Sequence, residues 1–152
     1  MNRTPDLTTL ARDGIARAVG VVGLAGVGLI HLLDAPGKFE ETPYMGWMYV
    51  ALIAGCLVVA AELLRTGSRA AWTGAALLAL SALVGFTLTR TVGLPQATGD
   101  IGNWSEPLGM ASLFVEGCLV ALSMAALTLS GAAGRVRAER SPGRRTLAGQ
   151  NA

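Results

Sequence analysis

Four apolar runs, each about twenty residues or longer and none alternating in polarity, leave this chain few ways to fold. They cover residues 15–33, 44–64, 70–89 and 107–133. A helix needs roughly 20 mainly apolar residues to cross the hydrocarbon core of a bilayer. A barrel strand needs only about ten, with lipid-facing and lumen-facing positions alternating, and these runs are too long and too continuous for that. A soluble bundle needs a polar face on every helix. The composition does not supply one, with 14% charged residues against about 25% in soluble domains. The chain therefore reads as an all-α integral membrane four-helix bundle. Its 20 Gly suit such an interior, where small residues let helices approach closely.

The flanks and connections divide the chain further. Residues 1–14 read as a polar N-terminal segment, too long before the first apolar run for a cleavable leader. Residues 15–133 form the membrane domain. Residues 134–152 read as a basic, disordered tail that rests on anionic lipid. "RTGSR" between the second and third runs predicts a tight turn. "DAPGKFEETPY", with two Pro and one Gly, predicts a genuine loop over 34–43.

Basic residues orient the spans. Arg3, Arg12 and Arg17 precede the first, Arg65 and Arg69 flank the short turn, and five Arg lie in the tail. The other side has only Lys38 and Arg90. Both termini are therefore expected in the cytoplasm of a cell whose inner membrane holds the protein. The loops 34–43 and 90–106 then face outward with Asp34, Glu40, Glu41, Asp100 and Glu106. Tyr44, Trp47, Tyr49 and Trp104 near the outer boundary, and Trp72 near the inner one, read as interfacial anchors.

Helical spacing assigns one small-residue stripe to each span. These are Gly20, Leu24, Val27, Gly28 and His31 in the first span and Met48, Ala51, Gly55, Val58 and Glu62 in the second. The third offers Gly74, Leu78, Ser81 and Gly85, and the fourth Gly109, Ser112, Leu113, Glu116, Val120 and Ser123.

Within this frame four residues demand an explanation. Glu116 lies nine residues past Pro107, so about 13 Å below the outer boundary at 1.5 Å per residue. An acid at such depth is costly and turns toward the interior or a cavity. A hydrogen bond from Ser81, at similar depth, is one way to satisfy it. A proton-carrying or ion-binding role is the other. His31 is the sole histidine. Asp34 follows it by three residues, on the same helical side, where it can orient the imidazole or join it in a metal site. Arg90, on the side poor in basic groups, calls for an acidic partner. It either ties the second loop to the first or binds an anion.

Other chemistry is bounded. One histidine excludes a bis-His haem within the chain, and no other cofactor is specified. Cys56 and Cys118 lie at similar depth, the only support for a membrane redox protein. Cys118 points about 200° away from Glu116 on its helix, so both read as small apolar residues. No nucleophilic triad, phosphate loop, dinucleotide fingerprint or CxxC is present, so no strong enzyme signal decides for or against an activity, and nucleic-acid binding is not expected.

"HLLDAPGKFEETPYMGWMYVALIAG", then "TRTVGLP" and "EPLGMASLFVEG", resemble a group of small four-span membrane proteins common in actinobacteria. The matching positions are His31, Pro36, Phe39, Arg90, Thr91, Gly93, Leu94, Pro95, Glu106 and Glu116, over residues 15–130. The group has no established activity, so the resemblance implies the four-span plan alone. That plan is also similar to the topology of DoxX-like proteins. The leading expectation is an accessory or interaction protein, embedded in lipid, with an outward polar cap. Its partner would be another membrane protein or a second copy. The alternative is a binding or transport module for a metal ion, proton or small ligand, using His31, Asp34, Arg90 and Glu116.

Overall fold

A computed structural model describes residues 7–139, and the side chains of residues 7–130. The first six residues and most of the basic tail lie outside the described residues. Within them the chain forms α1 (Leu7–Glu41), α2 (Pro43–Thr66), α3 (Arg69–Thr91) and α4 (Pro107–Glu139). All four are long and apolar enough to cross a membrane. Each packs on its sequence neighbours, α1 closes the ring against α4, and α1 meets α3 across the diagonal. The result is an all-α membrane four-helix bundle. Its loop end carries Thr42 and the 92–106 connection, and its turn end carries Gly67.

The apolar residues are turned out rather than in. Only 11% of the apolar window of α2 is buried, and Leu57, Val58 and Phe114 are about 70% exposed. Such a surface is unstable in water and matched to lipid. The inner core is short and apolar, built on Leu24, Val27, Leu63, Ala75, Ala79 and Leu119.

Two stripes agree with the spacing argument. On α1, Gly20, Leu24, Val27 and His31 are buried. On α4, Gly109, Ser112, Glu116 and Ser123 are buried, joined by Leu119. The other two stripes are rotated from expectation. On α2 the core face is Met45, Gly46, Cys56 and Leu63, while Met48 and Val58 face out. On α3 it is Ala71, Trp72, Ala75, Ala76 and Ala79, while the outer part of the expected stripe, Ser81 and Gly85, borders the cavity at the loop end with Ser81 exposed. The Gly of α2 and α3 instead serve their mutual contact. A methyl group at Gly55 would stand 3.0 Å from Leu78, and one at Gly74 would stand 3.1 Å from Val59. Trp72 is core as well, not an interfacial anchor. It fills the space left by Gly20, where a methyl group would meet its ring at 3.0 Å and Leu63 at 2.8 Å.

The first loop is the largest departure. α1 runs on through Pro36 to Glu41, and the chain reverses at Thr42 alone. Proline removes one intrahelical bond and crowds the carbonyl four residues back. Pro36 and Leu32 are both exposed, at the outer end of the first apolar run and just beyond it, so water or headgroups can satisfy the freed carbonyl of Leu32. The extension is held by packing and charge. Ala35 is buried, the Phe39 ring stands edge-on to Trp47 at 5.5 Å, and Lys38 is paired twice. Pro43 then opens α2 at its first position, where its missing N–H costs nothing. At the turn end the predicted tight turn is present. Gly67 has φ +58°, and its N–H bonds the Leu63 carbonyl, a left-handed helix end that favours glycine. Ser68 caps α3 by accepting from the Ala71 amide at 3.2 Å. α4 continues through 134–139, residues that the sequence assigned to the tail.

Candidate functional site

The 92–106 connection is a structured cap. Leu94 and Ala97 exchange backbone hydrogen bonds around Pro95 and Gln96. Gln96 takes φ 62°, the left-handed position of a tight turn that Pro95 precedes. The carbonyls this turn exposes are used. Tyr44 Oη donates to the Pro95 carbonyl at 2.7 Å and Thr42 Oγ1 to the Gln96 carbonyl at 3.3 Å. The cap is thereby fixed on the α1–α2 corner.

Arg90 organises what lies beneath. It is the last basic residue of α3 and only 5% exposed. One terminal nitrogen reaches Asp100 Oδ2 at 2.9 Å and the other donates to Glu106 Oε2. Its guanidinium lies 4.8 Å over the Phe86 ring. Phe86 in turn stands edge-on to Trp104 at 6.1 Å and covers Gly109, where a methyl group would come within 2.5 Å of the ring. Arg90 is thus an internal tie of its own connection. The link to the first corner comes from Lys38, which bridges Asp100 at 3.2 Å and Glu41 at 3.1 Å.

Burial by itself would push the Asp100 carboxyl up. Hydrogen bonds and charge from Lys38 and Arg90 outweigh it and hold the group below its ordinary 3.8. A carboxyl depressed in the folded state contributes stability above its unfolded pKa, and that stability is lost as pH falls through the folded value. The cap is therefore expected to hold at neutral pH and to loosen in acid, as pH falls through the ordinary carboxylate range toward the depressed folded value, read as a change in Trp104 fluorescence. The Asp100→Asn variant should have a weaker cap at neutral pH and a smaller acid transition. An equal transition in that variant would remove Asp100 from this role.

Under the cap, all four helices and the connection line a partly open cavity of about 170 Å³. His31, Asp34 and Arg90 all line it. Glu116 does not, but Ser112 does, and the Ser112 hydroxyl donates to Glu116 Oε1 at 2.5 Å. The predicted Ser81 partner is wrong. Ser81 Oγ bonds its own helix at Leu78, and the carboxyl is held from one turn up its own helix. Glu116 is 1% exposed, and its Oε2 has no hydrogen-bond partner among the described residues. It sits one turn below the cavity wall, at the boundary with the apolar core.

His31 and Asp34 do not act on each other through a hydrogen bond. His31 Nδ1 bonds the Val27 carbonyl at 2.9 Å. A carbonyl only accepts, so Nδ1 carries the proton and Nε2 is the remaining nitrogen. Asp34 Oδ2 accepts from Tyr49 Oη at 3.1 Å, and the Tyr49 and His31 rings stand edge-on at 4.7 Å. Tyr49, expected as a lipid-boundary anchor, is thus a wall of the cavity. Among the described residues no group of three His, Cys, Asp or Glu could hold a metal ion, so His31 and Asp34 remain two donors without a third. Cys56 is buried, Cys118 is exposed, and both are free, an arrangement unsuited to a redox pair.

Sequence reasoning missed Tyr49, Lys38 and Ser112. Ser112 was visible as the residue one turn before Glu116. Tyr49 lies about as far after Thr42 as Asp34 lies before it, so the two meet once both flanks are helical. Comparison with protein-family models, with characterised proteins and with solved structures finds no match to this chain.

Proposed function

We propose that this protein is a membrane-embedded binding module for a small ligand, with its pocket at the loop end of the bundle. The cavity supports this reading most directly. About 170 Å³ is comparable with engineered apolar cavities of about 150 Å³ that admit benzene, so the ligand has roughly six to eight heavy atoms. Apolar walls with a few convergent polar groups are the usual form of a small-molecule site. In this reading the polar cap is the rim of the pocket, and His31, Asp34 and Ser112 are its polar wall.

The loop end faces outward in this proposal, in the cytoplasmic membrane of a bacterium. In the sequence, ten of the 12 basic residues flank the opposite ends of the four spans, the distribution that the positive-inside rule expects when the loop end faces outward. The resemblance to small four-span actinobacterial proteins supports the same setting.

The test uses Gly85, which lines the cavity and has open space around a Cβ. In a chain carrying Cys118→Ala, Gly85→Cys is expected to react readily with methyl methanethiosulfonate. A Phe114→Cys control, on the lipid face, should react slowly. Equal, slow labelling at both sites would refute an accessible pocket.

A further inference from the structure

The polar groups that line the cavity are unevenly matched, and the mismatch has a sign. Three carboxylates, Asp34, Asp100 and Glu106, stand against two cations, Lys38 and Arg90. Both cations are committed at their terminal nitrogens, and of their donors only Arg90 Nε remains buried without a partner among the described residues. Arg90 spends its terminal nitrogens on Asp100 and Glu106, and Lys38 turns its ammonium to Asp100 and Glu41. Asp34 has no cation within ion-pair distance among the described residues. Its one hydrogen bond comes from the neutral Tyr49 hydroxyl.

Along α1 the uncommitted polar atoms have the same bias. Asp34 Oδ1 can only accept, and His31 Nε2 accepts once Nδ1 carries the ring proton. The two residues are one helical turn apart on α1. An anion entering this space would meet a net negative wall, and the guanidinium that would attract it already serves two carboxylates and has only Nε–H left to offer. A cation with N–H donors would supply the charge that Asp34 lacks. The rest of the wall, including Ile30, Met45, Leu52 and Leu108, suits a short apolar body. Resting on the pocket reading above, we infer that the ligand is a small protonated amine, with its ammonium on Asp34 and its hydrocarbon part among these side chains.

Three probes of one length separate the possibilities: n-butylammonium, n-butanol and butyrate. Each is tested on the full chain for protection of Gly85→Cys from methyl methanethiosulfonate, with Phe114→Cys reporting non-specific effects. Butylammonium is expected to protect at a roughly tenfold lower concentration than butanol, as one charge-assisted hydrogen bond would give. Butyrate should not protect. Asp34→Asn, which keeps an acceptor for Tyr49, should bring butylammonium and butanol together, each read against that variant's own unprotected labelling rate. Equal protection by butanol and butylammonium in the native chain would overturn the amine inference and leave the pocket standing. So would preferential protection by butyrate, or labelling that none of the three slows. A Gly85→Cys thiol that never reacts would end the pocket reading and this inference together.

Discussion

Arg90→Met is expected to destabilise the protein by about 3 kcal/mol, with the loss concentrated in the 92–106 cap. Breaking a buried ion pair by removing one partner costs about 3–5 kcal/mol, because the other charge is left uncompensated. Here two carboxylates lose their cation at once. Their side chains are 24% and 33% exposed, so water recovers part of the loss and the lower end applies. Lys38 still neutralises Asp100 after the change, but Glu106 keeps no partner among the described ion pairs. The Phe86 ring also loses the cation that covers it. Arg90→Lys should recover less than half of the stability. An ammonium is a compact point charge, whereas this site uses a planar fork to reach two acids and stack on a ring. Thermal unfolding in detergent measures the total, and amide exchange over 92–106 measures where it falls. Unchanged exchange in that segment, or full rescue by Lys, would show that the bridges contribute little.

The need for an acidic partner at Arg90 was legible because the residue is an exception to the charge asymmetry. Which acid it takes was not, since that depends on how the connection folds back, with Gly102 N–H bonding the Arg90 carbonyl at 2.9 Å. The faces of α1 and α4 could be read because each carries a polar residue, His31 or Glu116, that must be buried or satisfied. α2 and α3 have no such marker in mid-span. Ala and Gly are both small, so spacing could not distinguish the Ala71–Ala75–Ala79 row from the Gly74–Leu78 row. Only packing against Gly20 and Leu63 selects the row that carries Trp72. Asp-Ala-Pro-Gly-Lys resembles a loop by local chemistry. Tertiary contacts of Ala35, Lys38 and Phe39 override it, and that override also brings Asp34 to Tyr49.

Glu116→Met is expected to stabilise the protein by about 2 kcal/mol while weakening ligand binding. Glu116 is 1% exposed, with one oxygen held by Ser112 and the other unpartnered. A buried polar atom without a partner costs about 1–3 kcal/mol. Met has nearly the same length and volume, so the exchange removes the unpartnered oxygen without opening a cavity or overfilling the site. Ser112 can then return its hydroxyl to the carbonyl one turn back in its own helix. Glu116→Gln should give no such gain, because an amide in the same place still leaves polar atoms unmatched. A helix that needed only to pack would have no reason to keep this carboxyl. If it serves the pocket, it does so through Ser112, whose hydroxyl orientation it sets at the cavity wall. Protection of Gly85→Cys by n-butylammonium should then fall in Glu116→Met and persist partly in Glu116→Gln, where an acceptor for Ser112 remains. A Met variant that is more stable and protected as well as the native chain would show that the carboxyl plays no part in binding. A Met variant that is less stable would show that Glu116 contributes a structural interaction stronger than its single hydrogen bond to Ser112.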